Sequence, residues 1–215
     1  MSNWLLEQID RLRTLLVDDA TRLLPAAAEV ADQATGGLIS LPERAWKAVE
    51  DRETALRLRM LHALVMGENA DAAAMAQQFS TIDQGAVYAC AKLLLDDEER
   101  EKAWAYAALL RWFAQGRVKQ EDRVRFLRLV RELTSDELES LGDPTVLQGI
   151  AWRERLANIL PGLQAAISAA LDRWGFAAQR EGPGCEEAER RHLLVTILND
   201  GKARLESIVE GKTIG

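Results

Sequence analysis

Apolar side chains recur at three- and four-residue steps along most of this chain, and glycine or proline interrupts the runs at intervals of up to about thirty residues. A pattern of that period buries one stripe per segment. The segments must then be helices that cover each other's stripes, and the chain has to close into a bundle. Trp4, Leu5, Ile9, Leu12, Leu15 and Leu16 share one such stripe, with Glu7, Asp10, Arg11, Asp18 and Asp19 elsewhere on the helix. A second, alanine-rich helix is expected from Pro25 to Ala34, ended by Gly36 and Gly37. A third opens at Leu41-Pro42 and buries Trp46, Val49, Leu56, Met60 and Leu64 before Gly67 breaks it.

Further along, Ser80 and Asp83 flank a new start toward Tyr88 and Leu95. The run Asp96-Asp97-Glu98-Glu99 reads as the acidic first turn of a helix that reaches Phe113 and stops at Gly116. Trp104, Leu109, Trp112 and Phe113 are its core or interface candidates. Gln120 to Leu133 alternates Phe126, Leu129, Val130 and Leu133 with arginines at helical spacing. Thr134-Ser135-Asp136-Glu137 has the composition of a capping box, a hydroxyl for the amide three residues on and a glutamate that reaches back. Asp143-Pro144 predicts a helix over 145–160, and Pro161 another that ends at Trp174.

The C-terminal part changes cadence. After Trp174-Gly175-Phe176 comes a gap punctuated by Gly182-Pro183-Gly184, then an apolar run from His192 to Leu198 read as a strand, then Asn199-Asp200-Gly201 opening a short helix. Helix, strand, tip, strand, helix is the order of a winged helix. The expected fold is therefore mainly α, a multi-helix bundle (1–142) carrying a small C-terminal two-stranded hairpin unit (143–215) that is winged-helix-like and packed on the bundle.

A chain of 215 residues with 48% hydrophobic and 28% charged residues can bury a sizeable core. Its 34 acidic and 27 basic side chains leave a formal charge of -7, which repels phosphate backbones and anionic lipid unless the charges segregate. Two cysteines, Cys90 and Cys185, are too few for a disulfide framework. Met1 to Glu7 is interrupted by charge where a secretion signal would be uniformly apolar, and Leu23 to Leu41 is too broken to cross a bilayer, so a cytoplasmic location is expected.

Few residues suggest chemistry. Glu189 and His192 have the i, i+3 spacing of a helical metal pair, but a carboxylate-bridged centre needs two such pairs and further glutamates, and His192 falls in the expected strand. His62 has no nucleophile at relay spacing, and Asp96 to Glu99 lacks the alternating ligands and central glycine of a calcium loop. No metal, cofactor or catalytic residue is assigned, and no enzymatic activity is expected. Between Arg111 and Arg131 stand seven basic and two acidic side chains, an excess of five positive charges on an acidic protein. Arg117, Arg123, Arg125, Arg128 and Arg131 are the nucleic-acid or anion-binding candidates there, with Glu121 placed to pair with Arg125.

Three stretches carry a resemblance: Glu101 to Leu110, the cadence from Phe126 to Leu141 with Leu133-Thr134-Ser135-Asp136-Glu137-Leu138, and Leu194 to Leu205 with Asn199-Asp200-Gly201-Lys202. Together they make the chain resemble bacterial helical proteins of the abortive-infection alpha type. The resemblance implies a helical body with a terminal winged-helix-like segment and, as for some members, a part in phage exclusion. It implies no catalytic residue.

The expected role is that of a non-enzymatic macromolecular interaction protein, an adaptor or regulator whose partner is another protein or a copy of itself. Trp4, Trp46, Trp112 and Phe113 are the candidate anchors, because large aromatics dominate interfaces when the core does not consume them. One alternative is a DNA-binding winged-helix regulator. It is disfavoured by the seven basic and seven acidic residues between Arg173 and Gly215, which leave the wing neutral. The other is a membrane-active effector using Trp4 to Trp46, disfavoured because acids are at least as frequent as bases there.

Overall fold

Alanine decides where the centre of this molecule lies. The segment Ala103–Ala114, AWAYAALLRWFA, has small residues on several sides, so neighbouring helices approach it from several directions at once. Every residue from Ala103 to Leu110 is buried. The computed structural model describes residues 57, 60, 61, 63–65, 84–177 and 185–211. The expectations for residues 1–56, including Trp4 and Trp46, for His62 and for the Gly182 to Gly184 turn lie outside the described residues.

From residue 84 onward, the described α-helices are α1 (Gln84–Asp96), α2 (Ala103–Ala114), α3 (Gln120–Glu132), α4 (Ser135–Leu141), α5 (Trp152–Ile159), α6 (Gln164–Arg173) and α7 (Glu186–Val209). A 3-10 turn, Arg100–Lys102, leads into α2. Helix α2 packs against α1, α3 and α7; α7 also meets α4, and α5 and α6 pair, with α6 resting on α3. Phe126 of α3 and Phe176 after α6 seal the latter contact edge to face, with ring centroids 4.9 Å apart, an arrangement that adds about 1 kcal/mol to the burial itself.

Several local readings hold. Helix α3 runs as its spacing predicts, with Phe126, Leu129 and Val130 inward. Gly116, at φ +65°, ends the turn after α2 in the left-handed conformation that suits glycine. The capping box forms in both directions: the Thr134 amide donates to Glu137 Oε2 at 2.7 Å, and the Glu137 amide donates to Thr134 Oγ1 at 3.3 Å. Helix α4 ends at Gly142 as expected.

Other readings are corrected. His192–Leu198 is no strand; it is the middle of α7, a helix of 24 residues, and the described residues contain no strand at all. Its β-branched Val195, Thr196 and Ile197 suit either structure, but Arg191, Leu194, Val195, Leu198, Gly201, Leu205 and Ile208 all face inward at helical spacing, and Glu186, Glu187 and Glu189 favour the helix start. Asn199-Asp200-Gly201 lies inside this helix and does not open one.

Asp96 to Glu99 is likewise not a helical first turn: α1 ends at Asp96, and no acidic residue occupies the first turn of α2. The helix expected over 145–160 is confined to α5. Asp143 Oδ1 takes both the amide (2.8 Å) and the hydroxyl (2.7 Å) of Thr145 in a local turn, and Gly149 sits at φ +72°, so helix begins only at Trp152. Helix α6 begins at Gln164 rather than at Pro161, because Gly162 at φ +91° interrupts the chain.

Helices α2 and α7 touch most closely at Gly201. A Cβ there would stand 2.9 Å from Ala108 Cβ, 3.0 Å from Trp104 Cε3 and 3.1 Å from the Trp104 carbonyl oxygen. Only glycine lets the two backbones meet at this distance.

Candidate functional site

Three sets of charged side chains stand out once the helices are in place, and two of them are buried. Asp97 sits in the connection between α1 and the turn before α2. Its carboxylate receives Lys102 Nζ at 3.1 Å, the Tyr106 hydroxyl at 2.9 Å and the Glu99 amide at 3.1 Å. Lys102 Nζ also donates to the Arg131 carbonyl at 3.1 Å, which ties this knot to the end of α3. Arg57 donates to the Leu94 carbonyl at 3.2 Å and to that of Asp97. Burial, with the Asp97 charge and its hydrogen bond as lesser causes, pushes the Tyr106 hydroxyl far above the usual tyrosine range. The buried Cys90 thiol, whose Sγ lies 3.5 Å from the Tyr106 carbonyl, is also pushed up by burial. A protonated phenol and a protonated thiol beside a paired carboxylate form a structural knot, with no activated nucleophile among them.

The second set is centred on α7, with Arg125 of α3 beside it, and serves helix ends. After α6 the chain exposes successive carbonyls, and each meets an arginine: Trp174 oxygen accepts from Arg125 at 3.4 Å, Gly175 oxygen from Arg190 at 2.8 Å and Phe176 oxygen from Arg191 at 3.0 Å. Cations at a helix C-terminus satisfy both the unpaired carbonyls and the dipole. Arg190 is paired in turn with Asp122 of α3 at 3.1 Å. Arg191, fully buried, also donates to the Leu147 carbonyl at 3.3 Å and stacks 5.0 Å from the Trp152 ring. Further along α7, Arg204 donates to the carbonyls of Leu64 and Val65, the latter at 3.1 Å. Burial, then the neighbouring Arg111, pushes its guanidinium down to about 10, while Asp200 acts the other way.

The third set is the arginine run read from the sequence, and its members do not converge. Arg117 lies 4.9 Å over the Trp112 ring and Arg123 lies 5.5 Å over Phe113, so these two cover the end of α2. Arg125 and Arg128 gather at Trp174, Arg128 at 5.2 Å from its ring. Arg125 pairs with Asp122 at 3.7 Å, not with Glu121. Arg131 is exposed in the last turn of α3.

The expected anchors Trp112 and Phe113 are consumed by the core. Phe113 is buried, and Trp112 Nε1 donates to Asp200 at 3.2 Å. Glu189 and His192 are exposed on α7, and among the described residues no three of His, Cys, Asp and Glu are grouped as metal ligands.

Sequence reading missed Asp97, Lys102, Tyr106, Arg190, Arg191 and Arg204. The signal for the last three was present: they fall on the apolar stripe once 186–209 is read as a single helix. It also missed a surface. Ile150, Ile159 and Leu163, around α5, are large apolar side chains left in solvent. No family model, curated protein or solved structure matches the chain.

Proposed function

We propose that this chain is a non-enzymatic interaction protein, an adaptor or regulator that acts by presenting its outer surface to another protein or to a copy of itself. The observation that carries this reading is the apolar surface around α5, where Ile150 is 75% exposed, Ile159 44% and Leu163 42%. Single exposed apolar side chains are ordinary, but three within fourteen residues bracketing one short helix form a local concentration of the kind that contacts a partner. Pro161 and Ala165, Ala166 and Ala169 of α6 extend it with further exposed apolar atoms. The resemblance to abortive-infection alpha proteins supplies a setting, phage exclusion in a bacterium. Native mass spectrometry of the full chain, isolated from cells at natural abundance, tests the role. A complex larger than the monomer, lost on Ile150→Ser with Ile159→Ser, is expected; a lone monomer contradicts it.

A further inference from the structure

Arg155 is set apart from the other arginines of the interior. Arg190, Arg191 and Arg204 each reach carbonyls or carboxylates, whereas Arg155 Nε and Nη2 are shielded from solvent and meet no acceptor among the described residues. Those two nitrogens form the edge with which a guanidinium grips a carboxylate in two parallel hydrogen bonds. Gly149 backs the group, since a Cβ there would lie 3.4 Å from Nη2. Acids on the neighbouring segments are otherwise placed: Glu154 is exposed on the adjoining face, Asp143 accepts from the Thr145 amide at 2.8 Å, and Asp172 of α6 pairs with Arg153 at 2.8 Å. A cation held this way is destabilising until an anion reaches it, and its long side chain can swing outward to meet one.

Ile159 follows Arg155 by one helical turn and Ala151 precedes it by one, so Arg155 shares a stripe with two exposed apolar side chains, and Ile150 and Leu163 are exposed in the segments that flank the helix. We infer that this face of α5 docks a segment of a partner protein that carries one Asp or Glu between apolar side chains, the carboxylate pairing with Arg155 and the flanking groups covering Ile150, Ile159 and Leu163. Charge and polarity together select that occupant. A phosphate chain would lose the hydration of many charges against isoleucine and leucine, whereas an apolar segment with a single carboxylate desolvates one charge and supplies that guanidinium with its partner. The inference rests on the interaction role proposed above and names the chemistry of its partner.

A random peptide library displayed on phage and selected on the immobilised full chain tests it. Expected are enriched peptides that set Asp or Glu among Leu, Ile or Phe, whose affinity falls at least tenfold when their acid is changed to Gln, on Arg155→Met, or on Ile159→Ser. Arg155→Met should unfold at the parent's temperature or above it, which separates lost binding from lost fold. Absence of enrichment, peptides without a carboxylate, or equal binding to Arg155→Met overturns the inference. Self-association of the pure chain that Ile159→Ser abolishes also overturns it, by assigning the face to a second copy. A cellular complex that survives both substitutions overturns this inference while leaving the interaction role standing.

Discussion

Helix α3 turns Arg125, Arg128 and Arg131 to solvent, while α7 buries Arg190, Arg191 and Arg204. On α3, Arg128 lies along the Trp174 ring and Arg125 beside Asp122 and the Trp174 carbonyl, and all three side chains stay exposed. On α7 the same side chain replaces water at carbonyls that end other segments: Phe176 and Gly175 beyond α6, Leu147 before α5, Leu64 and Val65 near the N-terminal side of the described residues. The difference shows why a count of basic residues is a poor guide to nucleic-acid binding. A buried arginine bonded to carbonyls is part of the frame, and its removal is felt by the whole fold; an exposed arginine on a ring or at a solvated helix end is part of the surface. The excess positive charge between Arg111 and Arg131 belongs mostly to the second kind, and it is split between two aromatic ledges.

Substitutions on the two helices should differ in cost. The largest effect is expected from Arg191→Met, which leaves the Leu147 and Phe176 carbonyls unsatisfied inside the protein. The loss should be about 3 kcal/mol. Calorimetry would record it as a melting point lower by roughly 10 °C. A change of only a degree or two would remove the distinction between the two helices.

Gly201→Val comes next, at about 2 kcal/mol, because the added atoms collide with Ala108 and Trp104 where α7 crosses α2. Urea unfolding measures it, and an unchanged midpoint would mean that the crossing is looser than the distances indicate.

Tyr106→Phe should cost about 1 kcal/mol at neutral pH. It should also alter the alkaline limb of the stability curve. The native protein keeps the Tyr106 proton after the unfolded chain has released it, so this contribution is intact below the ordinary tyrosine value of about 10 and is lost as pH rises beyond it. The phenylalanine variant should lose part of that slope, and an identical slope would contradict the buried phenol.

The smallest effect belongs to Arg131→Ala, within about 0.5 kcal/mol of the parent by thermal unfolding. A cost equal to that of Arg191→Met would show that α3 is framed by its arginines as α7 is.

Legibility followed the range of the interactions. The capping box at Thr134 and Glu137, the extent of α3 and the stop at Gly116 depend on neighbours within a turn, and all three were readable. The run from His192 to Leu198 was misread because it is apolar enough for a strand; the helical spacing over 186–209 and the contact with α2 through Gly201 make helix the better solution. Asp97 was hidden for the same reason. Its partners Lys102 and Tyr106 are close in sequence, yet burial of the three depends on α3 supplying the Arg131 carbonyl. The α5 surface was missed because a helix expected over 145–160 gives Ile150 and Ile159 no reason to stay exposed. The break at Gly149 and the bend at Gly162 leave them there.

Hydrogen–deuterium exchange of the full chain, measured alone and in the complex isolated from cells, locates the face that a partner covers. The account predicts that complex formation slows exchange around residues 150–163 and leaves 186–209 unchanged. Slowing confined to the arginine face of α3, or no difference between the two states, would contradict it.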